Sequence, residues 1–397
     1  MRHFLIYMLI FSGISYIIHL RSENILLPTE DWKGGDYMGG RFEYQYFRDI
    51  DVADPFFDSL KRDYEGFETA WFPKCAKEGR RALVFRDEHG LGAFVAMKQE
   101  NEPIPLKNGQ YPAVPRLKVC TLLLAERFRG QRLGEGAIGL VLWRWQELKL
   151  DEVYVTVYPA HTDLISQLRK FGFIAVGYNP NGELVFIRSR KSIDFSDPYK
   201  AFPFVNPKFR KGGYVMVNGD YHDTLFPYSE LKNTLQEQLD KDVANGITKV
   251  YVGQQYQTNY QRGEPVFIYR IHPGSTGKKY RSCITSYCVI DEVITIKRSN
   301  RCYKTFEEFG TIVGNKSVFT QADLRKKYTE DKNITVIRML YCGYFGAGNN
   351  VTCDWLGKNG LWSPSNDVYP ANIQLTPRQC AMIWQAGEVD VCNAVGR

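Results

Sequence analysis

No two of the nine cysteines, at 75, 120, 283, 288, 302, 342, 353, 380 and 392, form a Cys-x-x-Cys pair. That spacing argues against a zinc site. An odd count in a chain of 397 residues gives no support to a disulfide framework. Reduced thiols in a cytosol-like compartment are the simplest reading. Internal repeats and low-complexity tracts are missing too. A dominant charge of one sign is also absent: 51 basic against 44 acidic residues give +7, which permits an anionic ligand without demonstrating one. Long apolar runs are confined to residues 4–20, which lack formal charge and follow Arg2 and His3. A signal peptide or a short membrane anchor has this composition, yet the run is short for a span and has no clear small-x-small cleavage site. Packing against the body of the protein and an upstream start remain open alternatives.

What is present describes a folded chain of two or three domains, with 44% hydrophobic and 24% charged residues. Residues 1–41 read as the hydrophobic segment and a glycine-bearing linker. From 42 to 190 the pattern is α/β. Asp54 caps a helix that has Pro55 at its first position. Strands follow at 82–85, 92–97, 119–124 and 153–158, with the apolar face of a helix at 138–145 and a helix at 162–170. A hairpin at 174–178 and 184–187 turns at Asn179-Pro180-Asn181-Gly182. A linker is expected at 191–211. Beyond it come short β-type runs at 214–217, 249–252, 266–270, 282–290 and 336–340, with helical periodicity near 228–244 and 320–328. They suggest a small barrel with helical decoration over 212–345, and 346–397 as an extension packed on it.

The most informative stretch is Arg127-Phe128-Arg129-Gly130-Gln131-Arg132-Leu133-Gly134-Glu135-Gly136. A basic glycine-bearing turn between a buried strand and a helix offers free backbone N–H groups and the positive end of a helix dipole, a place for a phosphate or pyrophosphate.

This turn resembles the Arg/Gln-x-x-Gly-x-Gly/Ala motif of the GNAT acetyltransferases. It fits in two registers: from Arg129, where Arg132 replaces the first glycine, or from Gln131, where Gly134 and Gly136 both match. Phe171-Gly172-Phe173-Ile174 resembles the family's helix ending in Gly-Phe, and Val157-Tyr158-Pro159-Ala160-His161-Thr162 looks like a bacterial branch with a PUA-like domain behind it. The resemblance implies a GNAT fold with a mixed central sheet and acetyl-CoA as cofactor. Arg129, Gly130, Gln131, Arg132, Leu133, Gly134 and Gly136 would hold the pyrophosphate, with backbone at Leu122, Leu123 and Leu124 beside the thioester. Strand 153–158 would splay from 119–124 to open a slot for pantetheine. An amine would attack the thioester directly, without metal or covalent nucleophile. The family's usual acid, a tyrosine five residues before the Phe of Gly-Phe, is Leu168 here. Tyr158 and His161 are the nearest alternatives for proton handling, though His161 equally suits a helix cap or the surface.

Residues 212–345 resemble the PUA-like superfamily that includes ASCH and EVE domains, through Gly263-Glu264-Pro265-Val266-Phe267 and Val289-Ile290-Asp291-Glu292-Val293. Such domains bind RNA or a modified nucleobase. Tyr251, Tyr269, Arg270 and Tyr287 are candidate pocket walls and Arg281 or Lys279 a phosphate contact; barrel core is the even-handed alternative. The expectation is therefore a cytoplasmic N-acetyltransferase with an RNA or nucleotide-linked acceptor, membrane-anchored only if 4–20 is an anchor. The alternatives are a non-catalytic acyl-CoA and modified-base binding module, and a toxin acetylating charged tRNA.

Overall fold

A computed structural model describes residues 42–396 apart from 235, 237–241, 257 and 363–372. The hydrophobic segment 4–20 lies outside the described residues. No helix among those described is long and apolar enough to cross a membrane.

The first unit is a seven-stranded mixed sheet. Its strands are β1 (Phe42–Tyr46), β2 (Arg81–Asp87), β3 (Gly90–Glu100), β6 (Arg116–Leu124), β7 (Glu152–Val157), β8 (Ile174–Tyr178) and β9 (Leu184–Ser189). A separate hairpin pairs β4 (Ile104–Leu106) with β5 (Gly109–Tyr111). The sheet order is β1-β2-β3-β6-β7-β9-β8, and only β6 and β7 run parallel. Alternation along the strands sends residues to opposite faces. Leu117, Val119, Leu122, Val153 and Val155 face α3 (Leu133–Glu147) and α4 (Thr162–Lys170). Phe94, Cys120 and Leu123 face α1 (Asp58–Asp63) and α2 (Phe72–Lys77). The Asp54 cap forms as expected, its carboxylate accepting from the Phe56 N–H at 2.8 Å.

The second unit is a curled half-barrel of order β10-β12-β13-β15-β11. These strands are β10 (Gly213–Asn218), β11 (Thr248–Gly253), β12 (Pro265–Ile271), β13 (Cys283–Arg298) and β15 (Ile334–Tyr344). The short strands β14 (Arg301–Cys302) and β16 (Val351–Thr352) pair with β13, whose register shifts let it bend. The expected β-type runs are thus all strands. Helices α9 (Phe306–Val313) and α10 (Gln321–Glu330) start at full capping boxes, Thr305 with Glu308 and Thr320 with Asp323. Shorter helices are α6 (Gly219–Leu225), α7 (Asp242–Asn245) and α8 (Lys278–Arg281). Of the expected helix 228–244, residues 235 and 237–241 lie outside the described set, and among the described residues helix is found from Asp242.

Two boundaries differ from expectation. The stretch 191–211 is not a bare linker: it carries α5 (Pro198–Ala201) and buries Phe202, Phe204 and Val205 against α3. The C-terminal segment, with α11 (Cys353–Lys358), α12 (Pro377–Ala386) and α13 (Val391–Ala394), packs on both units. Trp384 meets Phe267 and Tyr287 of the half-barrel, while the Asn393 amide donates to the Gln146 carbonyl of α3 at 2.9 Å. One core therefore runs through both units, with α3 between the sheets. This explains why α3 is apolar on nearly every side.

Candidate functional site

The parallel pair β6–β7 stays together only from Arg116–Val119 against Glu152–Val155. Cys120 is then an extra residue on β6: Val119 pairs with Met97, while Thr121 already pairs with Ala96. The bulge turns β6 away, and both strands continue unpaired to each other, to Leu124 and Val157. A split of this kind leaves a gap through the sheet beside the N-terminus of α3.

The turn into α3 answers the register question. Helix begins at Leu133, and Arg132 before it has φ of 64°, the left-handed region in which glycine is at ease. A non-glycine residue there costs about 1 kcal/mol. The register from Arg129 is the one the backbone follows. Gly136 is corrected accordingly: it lies inside the helix, and a Cβ there would sit 1.9 Å from the Asn245 carbonyl oxygen. Its small size allows this close approach of the Asn245 backbone.

The second unit clasps this turn. The Asn245 amide donates to the Gln131 carbonyl at 3.1 Å, and the Asn315 amide to that of Gly130 at 3.0 Å. Arg132 donates to the Thr248 carbonyl at 2.5 Å and pairs with Glu135 at 3.1 Å. Burial opposes charge on Glu135, but Arg132, Lys170 and the bonds from Thr248 outweigh it and hold its pKa below the usual value. Arg129 stays exposed beside Glu126, and Gly134 has only the Leu124 side chain close by. Leu122, Leu123 and Leu124 pair along β3 with Val95, Phe94 and Ala93, with Leu122 and Leu123 pointing to opposite faces. The space between the split and the helices is about 10 Å³, room for one water at most, and Leu168 and Phe173 are among the side chains that line it.

On the face toward α1, polar groups gather past the split. Tyr158 and His161 follow β7, with the His161 N–H donating to the Tyr158 carbonyl at 3.0 Å. Burial raises the Tyr158 pKa, helped by the charges of Glu183 and Asp63, and burial lowers that of His161. His161 Nδ1 is buried without a partner, and His161 makes no side-chain cap to α4. Glu183, which the sequence did not single out, is 1% exposed. Its Oε2 accepts from Asn179 at 2.7 Å and from Thr156 at 3.1 Å, while Oε1 is buried with no partner. Burial raises its pKa. Only its place after a tight turn was visible in the sequence, which marks a hairpin and says nothing of burial. Glu100, by contrast, is engaged by Lys98 at 2.7 Å, by Lys118 at 3.5 Å and by the Tyr154 hydroxyl.

In the second unit a cavity of about 860 Å³ opens between β10 and β11, the two outer strands of the half-barrel. Tyr221, Tyr251, Tyr256, Phe319, Gln254 and Lys327 are among its lining residues. Of the expected nucleic-acid residues only Tyr251 lines it. Tyr269 is buried and stacks on Trp362 at 4.5 Å, and Tyr287 is buried against Trp384 and Phe345. Lys279 and Arg281 are exposed on α8, away from the cavity lining. Arg270 is buried and holds both oxygens of Asp223, at 2.8 and 2.7 Å. Asp223 also faces His222 Nδ1 at 2.8 Å, and His222 Nε2 meets the Thr285 hydroxyl at 2.7 Å. This hydroxyl–imidazole–carboxylate chain looks nucleophilic, but His222 and Thr285 have no exposure. It is a buried polar lock that ties α6 to β12 and β13.

No family model and no curated protein matches the chain. Solved structures similar to it are of GNAT and ASCH folds. An ASCH protein from Zymomonas mobilis is 8% identical, covering 45% of this chain and 94% of its own, with a TM-score of 0.28. A GNAT-family acetyltransferase from Listeria monocytogenes is 14% identical over 37% of this chain and 94% of its own, at 0.27. A GNAT-family N-acetyltransferase from Escherichia coli, solved with CoA, is 18% identical over 39% and 85%, at 0.26. At such identities and scores these likenesses carry no chemistry across; the reading below rests on the geometry of the site.

Proposed function

We propose that this chain is an acyl-CoA-dependent N-acyltransferase, with acetyl-CoA as donor and an RNA or nucleotide-linked amine as acceptor. The observation that carries the reading is the split of β6 from β7 at the Cys120 bulge, with the turn 129–134 and the start of α3 directly behind it. A thioester arm threaded through that gap would have backbone donors of Leu122–Leu124 beside it, and its pyrophosphate would meet the turn. The chain's own contribution is to orient the donor, exclude water, and manage protons through Tyr158, His161 and their neighbours. The aromatic cavity of the half-barrel suits an unstacked base of the acceptor.

A second reading has its own observation. The clasp over Gly130–Gly136 and the small volume of the slot favour a binding module whose first unit serves as scaffold. Calorimetry with CoA, paired with radiolabelled acetyl-CoA offered to total RNA, total protein and small amines, separates the two. Label in any acceptor pool supports transfer, and label in RNA supports the acceptor class. CoA binding without label in any pool favours the module. Absence of CoA binding sinks both roles for the turn.

A further inference from the structure

We propose that Glu183 is the proton acceptor that turns the incoming ammonium group into the attacking amine, an assignment that rests on the acyltransferase reading. The β8–β9 hairpin delivers this side chain to the face of the sheet opposite α3, against Thr156. Thr156 is the first residue of β7 beyond Val155, where pairing with β6 ends. Asn179 and Thr156 fix one carboxylate oxygen and leave the other buried without a donor. Across the split, Thr121 is the first β6 residue beyond the bulge, and its hydroxyl is likewise buried without a partner. Orphaned buried acceptors are costly, about 1–3 kcal/mol each. Two of them on the rims of one gap form a receptor for a small donor-rich cation, and a primary ammonium has three N–H donors. Burial raises the affinity of Glu183 for a proton, with Lys118 as the opposing charge and Tyr158 as the neighbouring acid.

The balance is simple. Glu183 Oε1 takes one proton from R–NH3+ and passes it to solvent. The freed lone pair forms the C–N bond to the acyl carbon as the C–S bond breaks. The nitrogen sheds a second proton, and the departing thiolate takes one up. One proton is released for each amide formed.

The test compares two small nucleophiles, ethylamine and hydroxylamine, in thiol release from acetyl-CoA by the full chain. Ethylamine is protonated at neutral pH and needs a base, whereas hydroxylamine is already uncharged. Glu183→Gln keeps the shape and the acceptor toward Thr156. It should lose about a hundredfold or more with ethylamine and stay within about threefold with hydroxylamine. Equal loss with both, or no loss, overturns the assignment, and so does an ethylamine-specific loss in His161→Gln but not in Glu183→Gln. An inert wild type that fails to bind CoA fails the acyltransferase reading itself. A readout independent of turnover is carboxyl-carbon NMR. The Glu183 signal should titrate above the ordinary glutamate range and shift on adding ethylammonium; a signal that ignores ethylammonium counts against the site.

Discussion

The Glu135 carboxylate accepts from both the backbone N–H and the hydroxyl of Thr248, at 2.8 and 2.5 Å, across the boundary between the two units. An acidic side chain thus stands at the start of α3, where an anion from outside would compete for the same dipole. Glu135→Ala removes the competitor and two cross-boundary bonds. CoA affinity should rise by about threefold or more, because no carboxylate competes with the anion at the helix start. Hydrogen exchange at 245–250 should quicken, and unchanged exchange with unchanged affinity would contradict the clasp.

Gly136→Ala attacks the same boundary sterically. The added methyl meets the Asn245 carbonyl at 1.9 Å, so backbone must move. A loss of about 1–3 kcal/mol is expected in denaturant melts. At exposed Gly130 a Cβ meets nothing within 4 Å, so Gly130→Ala should cost only the strain of its φ of 80°.

Arg270→Met leaves Asp223 charged and buried beside His222. Breaking such a pair costs about 3–5 kcal/mol. The acid limb of wild-type stability follows from the same network. Burial lowers the His222 pKa, so its contribution is full above the ordinary histidine value and is lost as pH falls below about 6.5. Burial works against charge on Asp223, but Arg270, His222 and Gln236 win and depress its pKa, so that share is lost further down, through and below the carboxylate range. A melt series against pH checks both, and Arg270→Met should blunt the lower step.

Glu183 has the opposite sign. Its pKa is raised, so its charge costs stability at neutral pH; the cost fades as pH falls through the raised folded value and is gone below the unfolded glutamate value of about 4.3. Glu183→Gln should melt higher than wild type at neutral pH and converge with it in acid.

In the cavity, Tyr251→Ala and Tyr256→Ala should each weaken single-stranded RNA binding by the full chain. The loss expected is about 1–3 kcal/mol per base stack removed. A salt titration accompanies the measurement. Binding that is salt-dependent yet indifferent to both substitutions would place the RNA elsewhere.

The sequence exposed what is local. Periodicity located the strands on both sides of the turn at 129–134, and Asp54, Thr305 and Thr320 announce their helices by capping chemistry. Closure over a strand is not local. Tyr269 and Tyr287 read as cavity walls because alternation marks a face, while the residues covering that face, Trp362 and Trp384, come from a segment far along the chain. Arg270 read as a binding residue because its partner Asp223 lies 47 residues upstream. Gly136 matched a motif by spacing, and only the approach of Asn245 explains it. Glu183 was silent because nothing in one sequence distinguishes a buried carboxylate after a turn from a solvated one.

The clasp and the aromatic cavity are built from the same two stretches of chain. Thr248 touches Glu135, and two to five residues later β11 lines the cavity with Val250, Tyr251, Val252 and Gly253. Asn315 touches Gly130, and Ser317, Val318 and Phe319 line the cavity after it. Lys316 joins the stretches by accepting from the Val250 N–H at 2.8 Å. The contacts on the turn and the cavity lining therefore share two short stretches of chain. A guest that shifted β11 in the cavity would shift the contacts on the turn, and by thermodynamic reciprocity an anion that displaced those contacts would change the cavity's affinity by the same factor.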